Sequence, residues 1–136
     1  MYQVLRTIHF SYGHRLHNHP GKCARLHGHN AKVIVEISSV NLNEQKMVMD
    51  FYEIRKILET WIDEHLDHRM ILAKNDPIAS RLQEADPHTI LIDENPTAEV
   101  LAQWIFKEAK KQGLPVTKIT FWETDDSAAT YTDQRP

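Results

Sequence analysis

"NAKVIVEISS", residues 30–39, alternates with a period of two: Ala31, Val33, Val35 and Ile37 share one face, and Lys32, Ile34 and Glu36 the other. That is the pattern of a strand with one buried face. Upstream, "YQVLRTIHFSYGHRL" (2–16) is also rich in β-formers, with less regular alternation. The simplest arrangement is two antiparallel strands joined by "HNHPGKCARLHGH" (17–29). This connection is too long for a minimal hairpin turn, and long ordered loops tend to be functional ones.

Outward from the strand pair, Asp50 can cap a helix starting near Phe51, with Glu53 as its capping-box partner. Ile54, Ile57, Leu58, Trp61 and Ile62 recur at helical spacing, and "LDH" (66–68) closes the stripe. Thr97 can cap a second helix with Val100, Leu101, Trp104 and Ile105 as its buried face, and Gly113 ends it beside Lys110 and Lys111. Between the helices, "ILAKNDPIASRLQEADPHTILIDE" (71–94) reads as a connection with a short helical turn and a short extended "TILI". Pro115 introduces "VTKITFWET", and "DDSA" turns the chain into a terminal hairpin. The order is therefore β-β-α-α-β-β: an α+β fold with a four-stranded antiparallel sheet and two helices on one face. Its outer strands need cover, which neighbouring copies can supply.

The 136 residues fit one domain, 1–136, short enough that a site shared between subunits is expected. A formal charge of −3 argues against a nucleic-acid partner, which is held mainly by clustered Lys and Arg. No apolar run approaches the roughly 20 residues needed to cross a bilayer, so no membrane partner is expected. "MYQVLRTIHF" lacks the basic start and continuous apolar stretch of a secretory signal. Cys23 is the only cysteine and can form no intramolecular disulfide, which makes a reducing cytoplasm the expected compartment.

The connection carries the chemistry. His27 and His29 leave the same face of an extended segment and can reach one metal ion, and Gly28 between them permits close packing on the other face. His14, at the end of the first strand, is the best third ligand. His17 and His19 are rivals, ranked lower because Asn18 and Pro20 suggest an exposed turn. Three nitrogen ligands with one open position is the catalytic zinc pattern. Cys23 is then either a fourth ligand of a closed structural site or a thiol acting as base or nucleophile. Asp67 and His68 offer a second acid–base unit, although a histidine at a helix C-terminus also accounts for His68. Glu123 ends the apolar "ITFW", where its acceptor-only carboxylate can receive paired N–H donors from a heterocycle.

Taken together, "HF" (9–10), "HRL" (14–16), "CARLHGHN" (23–30), "MVMDF" (47–51), "LDH" (66–68), "ENPTAEVLAQWI" (94–105) and "WET" (122–124) resemble the 6-pyruvoyltetrahydropterin synthase family. The likeness is greatest to its bacterial branch, the 6-carboxytetrahydropterin synthases of queuosine biosynthesis. The resemblance covers nearly the whole chain. It implies zinc held by His14, His27 and His29, a catalytic thiol at Cys23, proton transfer through Asp67 and His68, and a pterin ring anchored by Glu123. It further implies the tunnelling fold, in which subunits form a barrel, typically a homohexamer of two trimers with active sites at subunit boundaries. The implied enzyme is a lyase that converts 7,8-dihydroneopterin triphosphate with release of acetaldehyde and triphosphate. Simple triphosphate elimination to 6-pyruvoyltetrahydropterin, an aldolase acting on dihydroneopterin and a non-catalytic zinc-stapled binding protein are the alternatives. Two departures stand out: Tyr12 and Gly13 where small residues such as alanine often precede the histidine, and a longer stretch from Lys74 to Leu91.

Overall fold

A computed structural model of the chain describes residues 1–133. The first two strands, β1 (Tyr2–His14) and β2 (His27–Ser39), pair antiparallel from Tyr2↔Ser39 to His14↔His27. Opposed residues share a face, so Ile8, Phe10, Tyr12 and His14 join Ala31, Val33, Val35 and Ile37 on one buried surface. Glu36, on the other face, is only 6% exposed, and its carboxylate is paired with Lys118 Nζ at 2.6 Å.

A continuous helix, α1, spans 51–65 as Phe51–Ile54, a π-helical Arg55–Glu59 and Thr60–His65. Asp50 caps it, accepting the Tyr52 N–H at 2.8 Å. Ile54, Leu58, Trp61 and Ile62 are buried against the sheet's inner face.

The sheet is six-stranded and mixed, in place of the expected four-stranded antiparallel one. Beyond α1, β3 (Arg69–Ala73) lies parallel to the end of β1, with Tyr12↔Arg69 and His14↔Ile71 in register. A short helix, α2 (Ala79–Ala85), then crosses over to β4 (Ile90–Ile92), which lies parallel to β3. Parallel neighbours require such a crossover. The two-helix, β-β-α-α-β-β expectation is corrected accordingly to β-β-α-β-α-β-α-β-β. "RMILA" escapes a periodicity reading because Ile71, Leu72 and Ala73 are all buried, so nothing alternates.

The third helix, α3 (Ala98–Lys111), starts at Thr97, whose hydroxyl accepts the Val100 N–H at 3.2 Å. Its fully buried positions are Leu101, Ala102, Ile105, Phe106 and Ala109, a stripe rotated away from Val100 and Trp104, which are half-buried. Gly113 follows in the left-handed region at φ 90°, as a C-terminal glycine does. The chain closes with β5 (Lys118–Thr124) against β2 and β6 (Ser127–Tyr131) as the terminal hairpin. The sheet order is β4-β3-β1-β2-β5-β6, so the facing ends of β1 and β2 lie at its centre, flanked by β3 and β5. Among the described residues, no helix is long and apolar enough to cross a membrane.

Candidate metal centre and active site

The register that buries the core also assembles the imidazoles. His14 opposes His27, and Tyr12 opposes His29, so all three histidines emerge from the core face where Phe10 and Phe121 end the apolar packing. One nitrogen from each ring lies within 4.8 Å of the other two. Gly28 opposes Gly13 between them, and a Cβ on Gly28 would come within 3.1 Å of the Tyr12 carbonyl oxygen. A side chain there would push the strands apart.

The rings are oriented for a cation. His14 donates Nδ1–H to the Pro96 carbonyl at 2.7 Å, and His27 Nδ1 meets the Arg25 carbonyl at 2.6 Å. A carbonyl accepts only, so each Nδ1 carries the hydrogen and each Nε2 keeps its lone pair. Nε2 of His14 and of His29 are buried without a hydrogen-bond partner among the described residues. Burial pushes both pKa values down, outweighing the opposing pull of Glu123. Three imidazoles with nitrogens this close together beside a carboxylate are a donor set that suits a divalent metal. These residues can hold a metal ion.

Glu123 continues the core face of β5. Its Oε1 stands 3.3 Å from Nε2 of His14, 3.4 Å from Nε2 of His29 and 3.4 Å from the Tyr12 hydroxyl. Burial, followed by the charge of Glu123, pushes the Tyr12 phenol up, so Tyr12 is the donor in that last contact. Glu123 also borders a cleft of about 330 Å³ with Leu16, Thr97, Glu99 and Ser127. Glu99 and Thr97 enter this cleft from the start of α3, a contribution the sequence pattern did not reveal.

Cys23 sits in a 3-10 turn, Lys22–Ala24, half-buried, and its thiol is not part of the histidine cluster. His17 and His19 also lie outside it: His17 is held through its backbone by Asn95, and His19 Nδ1 accepts the Gly21 N–H at 2.9 Å. Of the basic loop residues, Arg15 is engaged by Asp76, while Lys22 and Arg25 are exposed.

Asp67 and His68 touch and form an orienting pair. His68 Nδ1 lies 2.8 Å from Asp67 Oδ2, and Asp67 Oδ1 accepts the Ser11 N–H at 2.9 Å. His68 adopts a left-handed backbone, φ 58°, while its N–H donates to Ser11 O at 2.7 Å. Burial raises the Asp67 pKa, but the bonds from Ser11 and His68 outweigh it and hold the carboxyl below the usual range. The cleft around this pair is bordered by His9, Ser11 and Asn30. Phe10 and Ala31 border it as well, and neither Asp67 nor His68 belongs to the histidine cluster.

Known proteins resemble this chain over nearly its whole length. The sequence model of the family described as 6-pyruvoyl tetrahydropterin synthase matches residues 3–134. A 6-carboxy-5,6,7,8-tetrahydropterin synthase of Rickettsia bellii is 35% identical, covering 91% of this chain and 95% of its own. The Aquifex aeolicus protein of the same name is 32% identical, covering 98% and 99%. The crystal structure of an uncharacterized protein from Wolinella succinogenes superposes with a TM-score of 0.83 at 26% identity, covering 98% of both chains. With a family match over nearly its whole length and relatives this similar end to end, the chain belongs to the 6-pyruvoyl tetrahydropterin synthase family.

Proposed function

We propose that this chain is a zinc-dependent 6-carboxy-5,6,7,8-tetrahydropterin synthase, a lyase of queuosine biosynthesis acting on 7,8-dihydroneopterin triphosphate in a reducing cytoplasm. The observation that carries the reading is the pairing of three cation-oriented imidazoles with a thiol, on the adjoining loop, that is not one of them. The like-named relatives from Rickettsia bellii and Aquifex aeolicus support the choice of product.

His14, His27 and His29 would hold the zinc. When bound, it would supply positive charge to the side-chain hydroxyls of the substrate and stabilise the oxyanion that develops there. Glu123, bordering the cleft, receives the paired N–H donors of the pterin's amidine-like edge. Cys23 takes up or returns protons at the substrate side chain. Asp67 fixes the ring of His68 through Nδ1, leaving Nε2 to exchange protons with substrate. Exposed Lys22 and Arg25 are the candidates for the triphosphate, and the engagement of Arg15 with Asp76 argues against its inclusion.

The pair Asp67–His68 lies outside its own subunit's histidine cluster, which favours a site completed between copies. Edge strands β4 and β6, with no strand on their outer side among the described residues, favour the same conclusion. We therefore read the functional form as a tunnelling-fold oligomer, a hexamer of subunits enclosing a barrel, with active sites at the boundaries. A product assay on 7,8-dihydroneopterin triphosphate tests the function. Acetaldehyde released together with triphosphate is the expected result. A pyruvoyl product without acetaldehyde would assign triphosphate elimination instead.

A further inference from the structure

The segment that carries Cys23, residues 15–26, has a single 3-10 turn and is otherwise irregular. Such a stretch does not hold a thiol in place by its own backbone. Among its internal hydrogen bonds, those of His19, Gly21, Ala24 and Arg25 close local turns, and the one that reaches Cys23 itself runs from the Leu16 N–H to the Cys23 carbonyl at 2.8 Å. Leu16 is thus one anchor of Cys23, opposite the Arg25 carbonyl that meets His27 Nδ1 at 2.6 Å, and both neighbours of Leu16 are held from outside the loop.

Before Leu16, Arg15 meets Asp76 as a bidentate pair, Nε to Oδ2 at 2.7 Å and Nη2 to Oδ1 at 2.5 Å. The Asp76 side chain is wholly buried and is fixed in turn by the Ile78 N–H on Oδ1 at 3.0 Å. Charge-assisted forks of this kind combine strength with a defined direction. After Leu16, Asn95 Oδ1 accepts the His17 N–H at 3.0 Å and Asn95 Nδ2 donates to the His17 carbonyl at 2.9 Å. A side-chain amide can do this because it carries both a donor and acceptors, whereas a carboxylate offers acceptors alone. The next residue, Pro96, receives the Nδ1–H of His14. One dipeptide thereby holds both the thiol-bearing loop and an imidazole of the cluster.

We propose that Asp76 and Asn95 are positioning residues that fix the Cys23 turn relative to the imidazole cluster. Neither touches the reacting atoms. They act through Arg15, His17 and Leu16, and Asp76 comes from the connection between β3 and α2. The inference rests on the proposed role of the thiol, and it assigns a task to that stretch.

The isosteric variants Asp76→Asn and Asn95→Asp test it, because each keeps its side chain's shape and removes the fork or the donated bond. Cys23 is the sole cysteine, so the rate of whole-protein alkylation by iodoacetamide reports its access directly. Alkylation well below the melting temperature should accelerate several-fold in both variants. Their kcat should fall at least about tenfold, with KM and zinc content near wild type, since a displacement of about 1 Å can cost about a hundredfold in rate. Unchanged alkylation and unchanged kcat in both variants would overturn the proposal. So would a loss confined to melting temperature. Full turnover in Cys23→Ser would instead refute the role of the thiol, and the alkylation result would still judge the clasp.

Discussion

His14 donates Nδ1–H to the carbonyl of Pro96 at 2.7 Å, and that single bond decides which nitrogen faces the other imidazoles. The orientation that leaves Nε2 available to a metal follows from a backbone carbonyl supplied by a residue far away in sequence. Burial and the neighbouring imidazoles lower the pKa of His14 against the opposing effects of Pro96 and Glu123, so protons compete poorly with a metal at neutral pH. Zinc retention, followed by metal analysis after dialysis across a pH series, should fail only below the ordinary imidazole value of about 6.5. Loss of zinc with a midpoint above that value would show that the rings are not held neutral. His27→Ala should deplete metal at every pH.

Glu123 lies at the junction of the imidazole cluster and the cleft, with the Tyr12 hydroxyl 3.4 Å from Oε1. Glu123→Ala is expected to weaken pterin binding by about tenfold or more in calorimetry, because a charge-assisted pair of hydrogen bonds is lost. Zinc should remain. Tyr12→Phe retains the ring packing against His14 and His29 and removes one long contact, so its effect should be only about two- to threefold. Equal losses in the two variants would place the main anchor on the phenol.

The Arg15 guanidinium holds the Asp76 carboxyl below the usual carboxylate range, despite burial. A carboxyl depressed in the folded state stabilises fully above its unfolded value near 3.9, and the contribution is lost as pH falls through the folded value. Asp76→Asn should therefore cost about 2–4 kcal/mol at pH 7. In urea melts the gap to wild type should narrow steadily as pH falls below about 4. A gap independent of pH would mean that the ion pair contributes nothing as a charge pair.

If His68 serves the imidazole cluster of a neighbouring copy, two crippled subunits can repair each other. Co-refolded Cys23→Ala and His68→Ala chains should recover turnover that neither homo-oligomer shows, because some boundaries then combine an intact thiol with an intact imidazole. Persistent inactivity of the mixed assembly would place both groups within a single subunit's site.

The legible parts of the fold were those with a local signature. Alternation in residues 30–39 assigned the buried face of β2, and caps at Asp50 and Thr97 marked both long helices. The histidines were legible for the same reason, since strand pairing determines which side chains converge. The strand "RMILA" was not legible, because a strand buried on both faces has no period to read. Nor was the clasp on the thiol loop: Asp76 lies 61 residues from Arg15 and Asn95 lies 78 from His17, separations at which no local pattern forms. The contact between Asp67 and His68 depends on the left-handed backbone at His68, an unusual state for a non-glycine residue that its neighbours do not announce.

Metal analysis and turnover of purified Cys23→Ala give the most direct measurement, since they ask whether thiol and cation are separate agents. The expected variant keeps a full complement of zinc and loses turnover by about a hundredfold or more, the scale of a missing proton-transfer group. A variant depleted of zinc would show that the sulfur is a structural ligand, contradicting the separation on which the mechanism depends.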